Sequence, residues 1–161
     1  MNQIECELCA ADGGEVLHRD TELRIVAIEG ADGENYRGFC RVIWNQHVKE
    51  MTDLAPSDRS TFMKTVFKLE AVLRGQLSPE KMNIASLGNI TPHLHWHVIP
   101  RFVGDATFPK PIWAAPDPRD PNQQACGQAS ARIGTLSRNG NHDPSDLTWR
   151  EAVRHAFSSA E

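Results

Sequence analysis

Excess cations, long apolar runs and cysteine are all scarce in this chain of 161 residues. Lys and Arg number 17 against 21 Asp and Glu, a formal net charge of −4, which leaves no cationic surplus for non-specific binding of nucleic acid polymers or an anionic membrane. An anionic ligand must therefore be held by local chemistry. The longest stretch without a formal charge, Met82 to Pro100, is broken by Asn83, Ser86, Asn89, Thr91 and three histidines, so it is no membrane-spanning helix. Residues 1–15 carry acids at Glu5, Glu7 and Asp12 and no basic cluster ahead of an apolar run; no secretory signal is expected, and the expected location is cytoplasmic. With only four cysteines, a disulfide framework is not the expectation: at this length a core forms without one. Cys40 lies in an apolar run and Cys126 in a polar tail, while Cys6 and Cys9 form a C-E-L-C pair, which in a reducing compartment reads first as metal or redox chemistry.

Against these absences stand seven histidines, three of them within five residues. The pattern around them is that of one α+β domain. Val16–His18 and Leu23–Ile28 read as the arms of a hairpin, Gly30 to Gly38 as a polar loop, and Phe39–Trp44 as a further strand. From Asp58 to Arg74, Phe62, Met63, Val66, Phe67, Leu69, Val72 and Leu73 recur at three- and four-residue steps, predicting a helix with one buried face, capped by Ser57 and stopped at Gly75. Met82–Leu87 and His93–Phe102 predict two more strands joined by the turn Gly88–Pro92. Strands, helix and strands in that order imply an antiparallel α+β domain over 1–115. A linker or tail rich in Pro, Gly, Asn and Gln over 116–145 follows, and a short C-terminal helix over 146–161 that turns Leu147, Trp149, Val153, Ala156 and Phe157 towards its own domain or another subunit.

The chemistry concentrates in H-L-H-W-H-V-I-P, His93 to Pro100. In a strand, His93, His95 and His97 share one face at about 6.6 Å per step, and Leu94, Trp96 and Val98 take the other, against the helix. A neutral imidazole is available as nucleophile or base, and a neighbouring one can steady phosphate charge. The Gly88-Asn89-Ile90-Thr91 turn can offer backbone N–H groups to phosphate oxygens without a cationic patch.

H-L-H-W-H-V-I resembles the histidine triad (HIT) pattern, and the similarity runs from C-E-L-C through F-C-R-V-I-W-N-Q-H and N-I-A-S-L-G-N-I-T-P to the triad and P-R-F. The resemblance implies a HIT fold, a five-stranded antiparallel sheet with one long helix and here a C-terminal extension, usually as a homodimer. It further implies hydrolysis at a nucleotide α-phosphate, on a phosphoanhydride or phosphoramidate. His95 would be the nucleophile that becomes nucleotidylated, His97 the residue that bonds the phosphate and leaving-group oxygen, and His93 the orienting first member. Asn83, Gly88 and Asn89 would contact the phosphate region, with Thr91 standing in for a hydroxyl absent at Ile90, and Asn35, Asp32 or Glu29 would hold the ribose hydroxyls. A third histidine, where transferases of the superfamily carry Gln, favours hydrolysis over transfer.

His47 and His93 complete a four-ligand set with Cys6 and Cys9. A subset of the family binds structural zinc this way, and the same is implied here. Two alternatives stand beside the hydrolase: an enzyme in which His93, His95 and His97 jointly hold a catalytic zinc, and a catalytically silent nucleotide-binding dimer.

Overall fold

The structure, a computed structural model, describes residues 6–115 and 144–158. A short helix α1 (Glu7–Ala10) leads into the hairpin β1 (Glu15–Arg19) and β2 (Leu23–Ala27). After α2 (Gly30–Asn35) come β3 (Cys40–Trp44), a 3₁₀ turn at Met51–Asp53, and the long helix α3 (Pro56–Leu77). Strands β4 (Lys81–Ser86) and β5 (His95–Arg101) follow, and α4 (Pro144–Ser158) closes the described chain. Five strands form one antiparallel sheet in the order β1-β2-β3-β5-β4.

Alternation along the strands divides the apolar residues between the two sheet faces. Cys40, Val42 and Trp44 of β3 and Leu94 and Val98 beside them pack with Phe62, Val66, Leu69 and Leu73 of α3. Val26, Phe39, Ile43 and Ile99 face the opposite way, with Cys6 and Tyr36. The strand carrying the histidines is thus fixed from behind by an apolar layer and flanked by two strands.

Two local expectations change. The loop expected over Gly30–Gly38 contains the helix α2, which buries nothing. It folds there because Gly33 brings backbone onto backbone: a Cβ at that position would lie 2.1 Å from the Ile28 carbonyl oxygen. The long helix starts earlier and ends later than its periodicity suggests. Pro56 takes the first helical position, where its missing N–H costs nothing, so Ala55 rather than Ser57 is the cap. At the other end Gly75 stays helical, because Leu77 is packed on the core and the turn-off waits for Ser78, which adopts the left-handed conformation (φ 47°).

For the C-terminal helix the structure supplies the docking surface that the sequence leaves open. Helix α4 packs on α3 and β1 of its own domain, burying Trp149, Val153 and Phe157 and leaving Leu147 half exposed. Arg150 and Arg154 both bind the Glu15 carboxylate on β1, the former through Nε at 2.9 Å. The segment expected as a linker, and with it Cys126, lies outside the described residues but for its last two positions, which begin α4. Among the described residues no helix is long and apolar enough to cross a membrane.

Candidate active site and metal cluster

His95 and His97 stand on one face of β5, with ring centroids 4.9 Å apart. His93 does not join them in the strand, which begins at His95. Its neighbour Leu94 accepts from the Trp44 N–H at the end of β3 and donates its own N–H to the Val48 carbonyl in the loop that follows. The three histidines are nevertheless linked in sequence. His95 Nδ1 donates to the His93 carbonyl at 2.6 Å, and His93 Nε2 donates to the Trp44 carbonyl at 2.6 Å.

Because a carbonyl can only accept, each bond fixes a tautomer. His95 carries its proton on Nδ1, and its Nε2 lone pair is free of any partner among the described residues. Burial lowers the proton affinity of His95, opposed by the His93 carbonyl and assisted by the nearby Arg41 charge. His97 is pushed further down, to about 3, by burial first and then by His95 and Arg41. Its ring is enclosed by Phe39 (centroid distance 5.6 Å) and by the edge of half-exposed Trp113 (5.1 Å). Both imidazoles are therefore neutral at neutral pH.

His93 presents its other nitrogen, Nδ1, to the cysteines: Cys6 Sγ lies at 3.4 Å and Cys9 Sγ at 3.5 Å, and Cys9 Sγ lies 3.3 Å from His47 Nδ1. The four ligand atoms are all within 4.8 Å of one another. The C-E-L-C turn brings its thiols together because Cys9 and Ala10 both donate backbone N–H to the Cys6 carbonyl. Buried Arg24 then holds the end of that turn, donating to the Leu8 carbonyl at 2.6 Å and the Asp12 carbonyl at 3.0 Å. Without a cation the Cys9 thiol is pushed up by burial and by Cys6, a penalty that a bound metal removes. The cluster Cys6, Cys9, His47 and His93 is thus a possible metal site, with the His93 ring held by its Nε2–H bond to the Trp44 carbonyl. The same bonds correct the triad-metal alternative. His93 Nδ1 faces the cysteines, its Nε2 and His95 Nδ1 are occupied by carbonyls, and the three rings do not converge on one point.

The remaining residues singled out from the sequence fall on two rims. Asn83 lies on β4 opposite Ile99, and its Oδ1 accepts from Arg101 at 2.8 Å. Gly88 (φ 85°) turns the chain towards the histidines, with Asn89 exposed and Ile90 86% exposed. Thr91 Oγ1 points to Glu7 Oε2 at 3.5 Å. Glu29, Asp32 and Asn35 are all exposed along α2, and of the three only Asp32 bears electrostatically on Arg41.

Two residues had no assigned role. Arg101, 1% exposed, is spent on Asp105, Asn83, Thr107 and the Lys110 carbonyl, and so fixes the Asn83 amide. Its signal was its parity with His95 and His97. Arg41 stands directly across from His97, and was visible only as the single charge in the run Phe39–Trp44.

Sheet order, triad strand and site together define a HIT-type α+β domain, and a family model, the HIT domain, matches residues 20–104. The chain belongs to the HIT domain family. It resembles a histidine triad protein from Bradyrhizobium japonicum at 21% identity, covering 91% of this chain and 92% of that one, with a TM-score of 0.62. A HIT protein from Sinorhizobium meliloti is 23% identical over 83% of this chain and 98% of that one, with a TM-score of 0.57. A hypothetical histidine triad nucleotide-binding protein from Sulfolobus tokodaii is 15% identical over 90% and 84%, with a TM-score of 0.53. No curated protein is a significant match. Family membership supports nucleotide binding or hydrolysis as the class of activity.

Proposed function

We propose that this protein is a nucleotide hydrolase that cleaves a phosphoanhydride or phosphoramidate bond at the α-phosphate. The observation that carries the reading is the 2.6 Å bond from His95 Nδ1 to the His93 carbonyl, which leaves Nε2 as an aimed, unprotonated nucleophile. His95 Nε2 attacks the α-phosphorus; the P–N bond forms as the bond to the leaving group breaks, and water then cleaves the nucleotidyl-imidazole. His97 hydrogen-bonds the phosphate and leaving-group oxygen. Asn83, Gly88 and Asn89 hold the phosphate region, and Asn35, Asp32 or Glu29 takes the ribose hydroxyls. Residues 1–115 form the catalytic unit, acting as a cytoplasmic homodimer.

In the same reading Cys6, Cys9, His47 and His93 hold structural zinc. Zinc bonds of about 2.3 Å to sulfur and 2.0–2.1 Å to nitrogen place tetrahedral S and N ligands about 3.5 Å apart, close to the 3.3–3.5 Å separations between thiols and imidazoles here. Bound there, zinc would tie the N-terminal turn to the residue that orients His95.

The test is His95→Ala assayed with adenosine phosphoramidate, nucleoside diphosphates and dinucleoside polyphosphates. Turnover by the native protein is expected to vanish in the variant, and mass spectrometry of native protein quenched during turnover is expected to find a nucleotide on His95. Undiminished turnover by the variant refutes the nucleophile; native protein that binds nucleotides without turning any over supports the silent-dimer alternative.

A further inference from the structure

Arg41 is on the histidine face of the sheet. Its strand neighbours Cys40 and Val42 join the core beneath α3, whereas Phe39 and Ile43 join the core on the other face, as parity requires of Arg41. Its cross-strand partner is His97.

Among the described residues, four buried side-chain polar atoms have no hydrogen-bond partner, and three belong to this one pair: Arg41 Nε, His97 Nδ1 and His97 Nε2. Buried polar groups in folded proteins are almost always bonded. Three orphans side by side mark a place where a ligand completes the bonding. The Arg41 guanidinium makes no ion pair or hydrogen bond within the described residues; its Cζ lies over the Phe39 ring, 5.8 Å from the centroid. Asp32 and Glu7 act on it only through space. Arg101, on the same face, differs in kind because its guanidinium is consumed by Asp105, Asn83 and Thr107. A half-buried cation without a counter-charge is costly, so the ligand that suits it is an anion.

The chemistry narrows the anion. A guanidinium has only donors, in a planar fork that matches two oxygens of one phosphoryl group. We propose that Arg41 is a catalytic residue that grips the non-bridging oxygens of the phosphoryl group attacked by His95, supplying the positive charge on that side of the site. This rests on the nucleophile reading given above. Those oxygens keep their charge while the bond to His95 forms and the leaving-group bond breaks, so the guanidinium serves both substrate binding and the transition state. His97, pushed down to about 3, contributes hydrogen bonding but no charge at neutral pH.

The test compares binding of adenosine and guanosine monophosphates with binding of the parent nucleosides, by calorimetry, in native protein, Arg41→Met and Arg41→Lys. Arg41→Met is expected to weaken monophosphate binding on the order of 10- to 100-fold, the worth of charged hydrogen bonds, and to leave nucleoside binding within about twofold. Arg41→Lys, which keeps the charge and loses the fork, is expected to fall between them and guards against a variant that fails to fold. Native and variant proteins that bind monophosphates equally overturn the inference alone. Native protein that binds neither monophosphate overturns it together with the nucleotide reading.

Discussion

A buried imidazole in this site gives up its charge, because burial disfavours the protonated ring. His97, 4% exposed, is the extreme case, with its pKa pushed down to about 3. In the unfolded chain it titrates near 6.5. Below that pH the unfolded state takes up a proton that the native state refuses, so the histidine costs stability progressively from about pH 6.5 down to about 3. His97→Gln removes this term. Between pH 6.5 and 5 the native protein is expected to lose about 1.5 kcal/mol more than the variant, read from urea titrations at the two pH values. Equal losses would show that folding leaves the proton affinity of His97 unchanged. Cys40, by contrast, is pushed far up by complete burial and is an inert core residue, as its apolar run suggested.

Among the elements, α4 and the C-E-L-C turn are the two clamps. Helix α4 contributes three large side chains to the core under α3, with Trp149 at 2% exposure and Val153 at 0%. Trp149→Ala is expected to cost about 3–5 kcal/mol, the usual range for removing a buried aromatic, measured by denaturant unfolding. Glu15→Gln, which weakens both arginine contacts at the partly exposed rim, is expected to cost under about 1 kcal/mol. If the order of the two effects were reversed, α4 would be held by charge and not by its apolar face. The apolar spacing of this helix was readable; its target was not, because an amphipathic helix states that it has a partner without stating which.

The whole molecule is tied at one point, where Cys6 and Cys9 from the N-terminus meet His47 from the loop after β3 and His93 ahead of β5. Residues up to 87 positions apart converge there. A metal that binds only the folded arrangement stabilises it by linkage. Protein purified without an affinity tag is expected to hold about one zinc per chain, and strong chelation to lower the melting temperature by on the order of 10 °C. Cys6→Ser is expected to start at that lower temperature and to ignore the chelator. Melting indifferent to chelator in the native protein would leave the four ligands as a thiol and imidazole cluster without a metal.

A net charge of −4 leaves an anionic ligand to local chemistry. The fold qualifies this by setting Arg41 across from His97.

What the sequence determined by itself is whatever depends on local periodicity: the alternation that backs His95 and His97 with apolar residues, the three- and four-residue rhythm of α3, and the C-x-x-C spacing that makes a two-ligand turn. Cap positions drifted, at Ala55 and Ser78, because the ends of a helix answer to packing as much as to propensity. Only the tertiary structure decided that His93 presents Nδ1 to the cysteines, that α4 docks on its own domain, and that Arg41 faces His97. Each of these depends on which distant backbone a residue bonds or opposes: Val48 and Trp44 for Leu94, β1 for α4, β5 for Arg41. Strand order and long-range register follow from burying two apolar faces at once, a condition that no stretch of the chain carries alone.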